Sequence, residues 1–398
     1  MNLVIRNDYY STDRARLRGM PKSTMGRYVE RTGKPVPRMF KTFEHAKEAA
    51  DSGIKIIARS EHEQEYGGAS GLCASHVFGD RRDFEGPDQL PWGAGRLVEG
   101  AAIDLFRNED EFKRRAFATQ RSSCQQYCDL VGIDIKDFRN QVTWSYWEYL
   151  EGANRAVVAD SAVSGRYHVM TTFGTSKNYV IIEDGMVIIA FETKPLMPLT
   201  PELREGLLKL IELYEDIRAL RHFNPNHCPM MEFQTVGTVD YFLQYHRTRD
   251  FEPCPAMDIT PEKGDLEAIF VRGSTNGERR IYRTPMYWQR PKTIEPHEGY
   301  IDDGVCSAYG ELLMRKTKLL IDTSNRRQFL QFAHNMACSH SPRSKLFKPE
   351  ISIVVPHDDL FNWAKTAEVK KRSLAERATQ YVNFSVISDG RRAFIRMI

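Results

Sequence analysis

Apolar residues along this chain recur with two different periods, and the change from one to the other predicts where helices and strands lie. Within residues 201–220 they return at helical spacing (Leu207, Leu208, Ile211, Leu213, Tyr214), which predicts an amphipathic helix. Short apolar runs at 155–159, 179–182 and 187–191 predict strands. The last two are separated by Glu183, Asp184 and Gly185, so they read as a hairpin with an acidic turn. Further along, short strands are predicted at 266–271, 318–321, 351–355, 384–387 and 393–397, with helical segments at 324–334 and 362–380. Between these halves the text FEPCPAMDITPEKG carries two prolines, an aspartate and a terminal glycine that interrupt any regular element. A chain of 398 residues exceeds one ordinary core. The expected organisation is therefore a domain over 1–255 and a smaller one over 256–398, both mixing α and β (α+β). No internal repeat or low-complexity tract is present.

Composition narrows the class without naming a function. With 41% hydrophobic and 27% charged residues, the chain is globular rather than disordered. Its 56 basic and 53 acidic side chains leave a net charge of +3, which gives no global attraction to nucleic acid or anionic membrane. The first residues lack an apolar run of signal-peptide length, and no stretch approaches the roughly 20 apolar residues of a membrane span. A cytoplasmic protein with neither nucleic acid nor membrane as partner is expected. Seven cysteines in so long a chain fit reduced thiols. Cys124 and Cys128 have no second pair at zinc spacing and read as packing residues, and His222, His227 and Cys228 fit no standard metal spacing. Arg279, Arg280 and Arg283 read as a solvated strand edge, and the basic stretch 365–377 as a solvent-facing helix surface.

Two segments carry candidate chemistry. IIARSEHEQEYGGASGLC, residues 56–73, sets a strand arginine ahead of a glycine-rich turn. Arg59 offers a planar fork to phosphate oxygens, and Gly67, Gly68, Ser70 and Gly71 let successive N–H groups point into one anion-binding concavity. Far downstream, CPMMEFQTVGTVDYFLQYHR reads as two strands around a turn, with Glu232 and Gln244 as their polar residues of interest. Strand side chains alternate between faces. These two therefore share a face only if the connecting loop holds an odd number of residues, and Gly237 permits a three-residue loop. One carboxylate and one amide oxygen suit magnesium when nucleotide phosphates and water complete the octahedron.

Together these pieces resemble the nucleotide-binding domain of the pyruvate phosphate dikinase and phosphoenolpyruvate synthase family, an ATP-grasp fold. Pro35, Val36 and Pro37 in TGKPVPRMF are similar to that family's run after its first helix, and Lys22 falls at its phosphate-binding lysine. Arg59 and Ser60 match its Arg-Ser pair, GGASGL its small-residue loop, RAVVADSAVSG its strand and turn, and MMEF with YFLQYHR its closing elements. Thr248 stands where the family has proline after Arg247, and alanine replaces proline in the DSAVSG turn. The resemblance implies ATP held by Lys22, Arg59, Ser60, Gly68, Ser70, Gly71, Glu148, Leu150 and Arg247, with Mg2+ on Glu232 and Gln244. The stretch WSYWEYLEG, 144–152, falls where backbone groups would meet adenine. Tyr149 and Leu150 would form an apolar wall there, while the two tryptophans belong either to that wall or to the core.

The second half carries a further echo of the family, its swivelling phosphohistidine domain. The strand Leu319–Asp322, the triplet Cys338-Ser339-His340 and the turn Ser388-Asp389-Gly390 stand in the corresponding order, although Asn335, Met336 and Ala337 replace the glycine pair before the histidine. The resemblance implies either a phosphoryl-carrying His340 or a relic fold with an ordinary histidine. The expected function is an ATP-dependent phosphotransferase passing a phosphoryl group from Mg-ATP to an unidentified small-molecule acceptor. Catalysis would fall to Lys22, Arg59 and His340, with a second polypeptide as one source of the acceptor domain. The alternatives are an ATP-grasp ligase working through an acyl phosphate and a catalytically inactive ATP-binding protein.

Overall fold

The computed structural model of the chain describes residues 22–61, 76–78, 109–118, 134–160, 163–173, 176–192, 199–220, 228–246, 257–285, 299–302, 318–322, 350–355 and 381–398. In chain order the elements are α1 (Lys22–Arg31), β1 (Met39–Phe40), α2 (Phe43–Asp51), β2 (Ile56–Glu61), β3 (His76–Phe78), α3 (Glu109–Ala118), α4 (Ile135–Asn140), β4 (Thr143–Glu148), β5 (Ala153–Ala159), β6 (Arg166–Phe173), β7 (Ser176–Glu183) and β8 (Met186–Glu192). There follow α5 (Pro201–Arg218), β9 (Met230–Val236), β10 (Val239–His246), β11 (Leu266–Gly273), β12 (Arg280–Pro285), β13 (Gly299–Asp302), β14 (Leu319–Asp322), β15 (Ile351–Val354), β16 (Tyr381–Ser388) and β17 (Ala393–Met397). The fold is a mixed α+β one, and every strand expected from the hydrophobic pattern is present within a few residues of its expected bounds. The two helical segments expected at 324–334 and 362–380 lie outside the described residues.

The strands form three sheets, ordered β1-β4-β2-β3, β10-β9-β5-β6-β7-β8 and β12-β16-β17-β11-β15-β14-β13. The first two are antiparallel throughout, while β13, β14 and β15 run parallel within the third. In the β7–β8 hairpin Asp184 (φ 50°) and Gly185 (φ 74°) are both left-handed, the geometry that matches strand twist across a two-residue turn. In the third sheet the edge strands β12 and β13 also lie against each other. There a Cβ on Gly299 would stand 1.9 Å from Thr284 Oγ1, so the approach requires glycine.

Helix α5 begins where Thr200 caps the Leu203 N–H at 3.2 Å and Pro201 supplies a preset first turn. It buries Leu207, Leu210, Tyr214 and Ile217 against one face of the six-stranded sheet, joined there by Met25 and Val29 of α1. Tyr214 Oη donates to the Pro229 carbonyl at 2.7 Å and accepts from the Ala159 N–H at 3.3 Å, and burial pushes its pKa far up. The same face holds a buried ion pair, Arg155 Nη1 to Asp240 Oδ1 at 3.3 Å, with Thr235 Oγ1 also bonded to that oxygen. Burial lowers the Arg155 pKa and raises that of Asp240, each partly offset by the other's charge.

In the third sheet Arg279 binds Asp265 at 2.6 and 3.3 Å and Glu262 at 3.0 Å, and Arg280 binds Glu350 at 3.1 Å. The expected strand edge is there, with β12 ending the sheet order and Arg283 exposed, but carboxylates neutralise Arg279 and Arg280. Although burial alone would raise the Asp265 pKa, the Arg279 hydrogen bond and charge bring it below its ordinary value. No helix among the described residues is long and apolar enough to cross a membrane.

Two glycines fix how the first two sheets are spaced. A Cβ on Gly26 of α1 would meet the buried Trp147 ring at 2.6 Å, and one on Gly152, between β4 and β5, would meet the Thr235 carbonyl oxygen at 1.9 Å. For Gly26→Ala, overpacking of about 1–3 kcal/mol is offset by about 1 kcal/mol of helix propensity, so a net loss of about 0–2 kcal/mol is expected in urea denaturation. Gly152→Ala meets backbone that cannot rotate away and is expected to lose at least ~3 kcal/mol. A smaller loss for Gly152→Ala than for Gly26→Ala would contradict this packing. Asp240→Ala, which strands the buried Arg155 charge, is expected to cost about 3–5 kcal/mol, well above the cost of Asp240→Asn.

Candidate functional site

The four-stranded sheet presents two unlike faces. Ile56, Ala58, Phe40 and Tyr146 pack on Phe43, Ala46 and Ala49 of α2 and on Phe112 of α3. By strand alternation Arg59, Glu61, Ser145 and Trp147 point the other way, toward α1 and the six-stranded sheet. Helix α1 lies between the two sheets, with Gly26 against Trp147 and Met25 and Val29 in the core of the larger sheet.

A buried carboxylate fixes that helix. Glu61, 3% exposed, accepts the Ser23 N–H at 2.9 Å and the Ser23 hydroxyl at 2.9 Å, and is also bonded by the Ser145 hydroxyl. Ser145 Oγ in turn accepts the Trp147 Nε1–H at 2.8 Å. The negative charge at the α1 N-terminus satisfies an orphan N–H and complements the helix dipole. Lys22, at the start of α1 and 8% exposed, donates from Nζ to the Ser60 carbonyl at 3.2 Å.

Arg59 is the joint between the sheets. Its Nη1 donates to the Leu243 carbonyl at 3.2 Å, its Nη2 donates to Gln244 Oε1 at 2.7 Å, and its guanidinium carbon lies 5.4 Å from the Trp147 ring centroid. The edge strand β10 is thus gripped from outside, and Pro35 adds a second hold by accepting the Phe242 N–H at 2.9 Å.

Glu232 and Gln244 stand directly opposite each other on β9 and β10, by a route other than the expected one. The turn is the two-residue Gly237-Thr238, with Val236 facing Val239, which taken alone would put the two side chains on opposite faces. A register shift between Phe242 and Gln244 inserts one residue and restores the parity. The three-residue loop is therefore corrected to a tight turn plus a bulge. The inserted residue is Leu243, whose carbonyl Arg59 takes.

Other expectations change in detail. Ser60, next to Arg59 in an extended strand, presents its hydroxyl to the opposite face, so what it offers on this side is the carbonyl that Lys22 binds. The Glu148 and Tyr149 N–H groups, expected to face adenine, donate to the Arg38 and Lys55 carbonyls at 2.8 and 2.7 Å. Leu150, next in the connection, is half-buried. Burial, with Glu151 adding to it, raises the Tyr149 pKa to about 12 against the opposing charge of Lys55. Trp147 is fully buried core at 1% exposure. Gly68, Ser70, Gly71, Arg247 and His340 lie outside the described residues, as do His222 and His227. Cys228 is buried and donates to the Asp160 carbonyl at 3.4 Å.

The sequence reading passed over Glu61 and the buried pair of His168 Nε2 and Asp160 Oδ2, 2.9 Å apart and both fully buried. Glu61 follows the Arg-Ser pair directly, and a third polar residue ending a strand otherwise bound for burial was the available signal. No group of three or more metal-ligating side chains is found among the described residues.

The donor chemistry nonetheless suits a hard cation sharing its shell with phosphate oxygens. Glu232 supplies a carboxylate and Gln244 an amide oxygen opposite it. The Arg59 bond uses one lone pair of that oxygen and turns the oxygen, rather than the amide nitrogen, toward the arginine side of the cleft.

No family model matches this chain, and no curated protein does. Among solved structures it is similar to a D-alanine--D-alanine ligase from Bacillus anthracis, at 10% identity over 59% of this chain and 59% of that one, with a TM-score of 0.29. It is similar to the ATP-grasp ligase PsnB complexed with a phosphomimetic variant of its minimal precursor, Mg and ADP, at 12% identity over 60% and 52% with a TM-score of 0.25. A third likeness is to the biotin carboxylase subunit of pyruvate carboxylase, at 14% identity over 58% and 40% with a TM-score of 0.22. The chain spans less than two thirds of each of these structures, and the functional reading rests on its own residues.

Proposed function

We propose that this chain is an ATP-dependent enzyme of ATP-grasp type, binding Mg-ATP between the four-stranded and six-stranded sheets and transferring its γ-phosphoryl group to a substrate oxygen. The observation that carries the reading is the convergence of Arg59, Gln244 and Glu232 at one joint, with Lys22 of α1 bonded to the strand that bears Arg59. Two cations, a carboxylate and an amide oxygen are the groups that hold a polyphosphate and its metal, and phosphoryl transfer draws its catalysis mainly from such positioning and charge neutralisation. Arg59 and Lys22 offset charge on the phosphoryl oxygens, while Glu232 and Gln244 hold the magnesium, which when bound supplies further neutralisation of the β- and γ-phosphates.

The acceptor is a carboxylate in the reading we favour. Its oxygen attacks the γ-phosphorus, the bond from that phosphorus to the β,γ-bridging oxygen breaks, and ADP leaves with the electron pair. The acyl phosphate formed then reacts with an amine, releasing phosphate. Direct transfer to a substrate oxygen needs no protein nucleophile, and the Ser145 hydroxyl and Glu61 carboxylate on the Arg59 face are bonded to each other. A second reading, a relay through His340, is favoured by β14 and the Ser388-Asp389-Gly390 turn belonging to one sheet, as the phosphohistidine resemblance implies.

Calorimetric titration of the full chain with Mg-ATP is expected to saturate. Arg59→Ala and Glu232→Gln are each expected to weaken binding by about tenfold or more, the loss of one charge-assisted contact. Arg59→Lys, which keeps the charge and loses the fork, should fall between. Saturation unchanged in all three variants would remove the site from consideration. With ATP labelled at the β or γ position, ADP release that requires an acid and an amine together marks the ligase. Acid-labile, base-stable γ-label on the chain that disappears in His340→Ala marks the relay.

A further inference from the structure

The face of the six-stranded sheet that carries Glu232 also carries an amide with an unmade bond. Gln234 lies two residues further along β9, so alternation puts it on the same face, about 7 Å away. It stands between Asn154 of β5 and Tyr241 of β10 in the register. The residue is 4% exposed, yet its buried Nε2 finds no hydrogen-bond partner among the described residues. A buried donor left so costs about 1–3 kcal/mol, a penalty that a leucine or valine at this strand position would avoid.

Position along the strand says what the donor is for. Strand β5 starts at Ala153, directly after the 149–152 connection, and Ala153 and Asn154 face Thr235 and Gln234. The connection, Gln234 and Glu232 therefore follow one another along a single line. In the nucleotide reading the base lies at the connection and the metal-bound phosphates at Glu232 and Arg59. The group between a base and its phosphates is the sugar.

We infer that Gln234 is a sugar-reading residue whose Nε2 donates to a ribose hydroxyl oxygen of the bound nucleotide, selecting ribonucleotides over deoxynucleotides. This rests on the nucleotide-binding reading and deepens it. Sites built to hydrogen-bond a hydroxyl reject analogues that lack it because the protein group is then stranded. Gln234 Nε2 has no partner among the described residues, so a bond to substrate replaces no bond within them.

The experiment compares ATP, 2′-deoxy-ATP and 3′-deoxy-ATP, each with magnesium, in calorimetric titrations of the full-length wild type and Gln234→Leu, and records the melting temperature of both proteins without nucleotide. In wild type at least one deoxy analogue is expected to bind about fivefold or more weaker than ATP, and in Gln234→Leu the three should bind alike. Without nucleotide, Gln234→Leu should melt at the same temperature as wild type or higher, because it removes an unsatisfied buried amide. Gln234→Glu, which keeps the shape but offers only acceptors when ionised, should weaken ATP binding. Wild-type binding of ATP without sugar discrimination, discrimination surviving in Gln234→Leu, or a melting temperature that falls by several degrees in that variant would each overturn the inference while leaving nucleotide binding intact. Failure of wild type to bind any of the three nucleotides would overturn both.

Discussion

One guanidinium decides whether the first two sheets act together. Arg59 leaves β2 of the small sheet and bonds the Leu243 carbonyl and the Gln244 amide oxygen on the edge strand of the large one, with the Trp147 ring alongside it. Both oxygens need an external donor, since the bulge takes Leu243 out of the regular ladder and Gln244 is 5% exposed. A lysine could neutralise charge here but could not reach two acceptors in one plane. The same fork geometry suits phosphate, so the residue that couples the sheets is also the one the proposed site would use on the nucleotide.

That joint is held from behind by groups bonded to one another. Glu61 ties the start of α1 to β2, Ser145 extends the tie to β4, and Trp147 closes it against Gly26. A carboxylate at 3% exposure is tolerable only with its lone pairs occupied, and three donors occupy them. Gly152 then lets the chain cross from β4 to β5 within touch of the Thr235 carbonyl. Helix, small sheet and large sheet are set at fixed spacing by one buried acid and two positions without a side chain.

How much of this the sequence disclosed follows from the range of the forces involved. Periodicity is local, and it located α5 and most strands from β5 onward, though not β6 or β13, because each must turn an apolar face to a core. The pairing of Glu232 with Gln244 was foreseen as a parity requirement, but not its solution. Turn length and bulge enter that sum with equal weight, and a bulge at Leu243 leaves no mark in the residues around it. Glu61 went unnoticed because its partners, Ser23 and Ser145, are 38 and 84 residues away. Arg279 and Arg280 looked solvated for the same reason, since the carboxylates of Asp265 and Glu350 reach them only through the sheet.

The two faces of the six-stranded sheet bury different kinds of polar group, a charged pair on one and a neutral amide on the other. Toward α5, Arg155 is gathered with Asp240 and Thr235, although its Nε has no partner among the described residues, and Tyr214 has one donor and one acceptor. Toward the joint, Gln234 is equally buried but its amide nitrogen is left over. Selection for the fold acts on both faces alike and would replace an unsatisfied strand glutamine by any β-branched residue of similar bulk. Gln234 lies on the side where Glu232, Gln244 and Arg59 also gather. In the nucleotide reading, the neutral amide donor left over on this face is held for a bond to the ligand rather than to the protein.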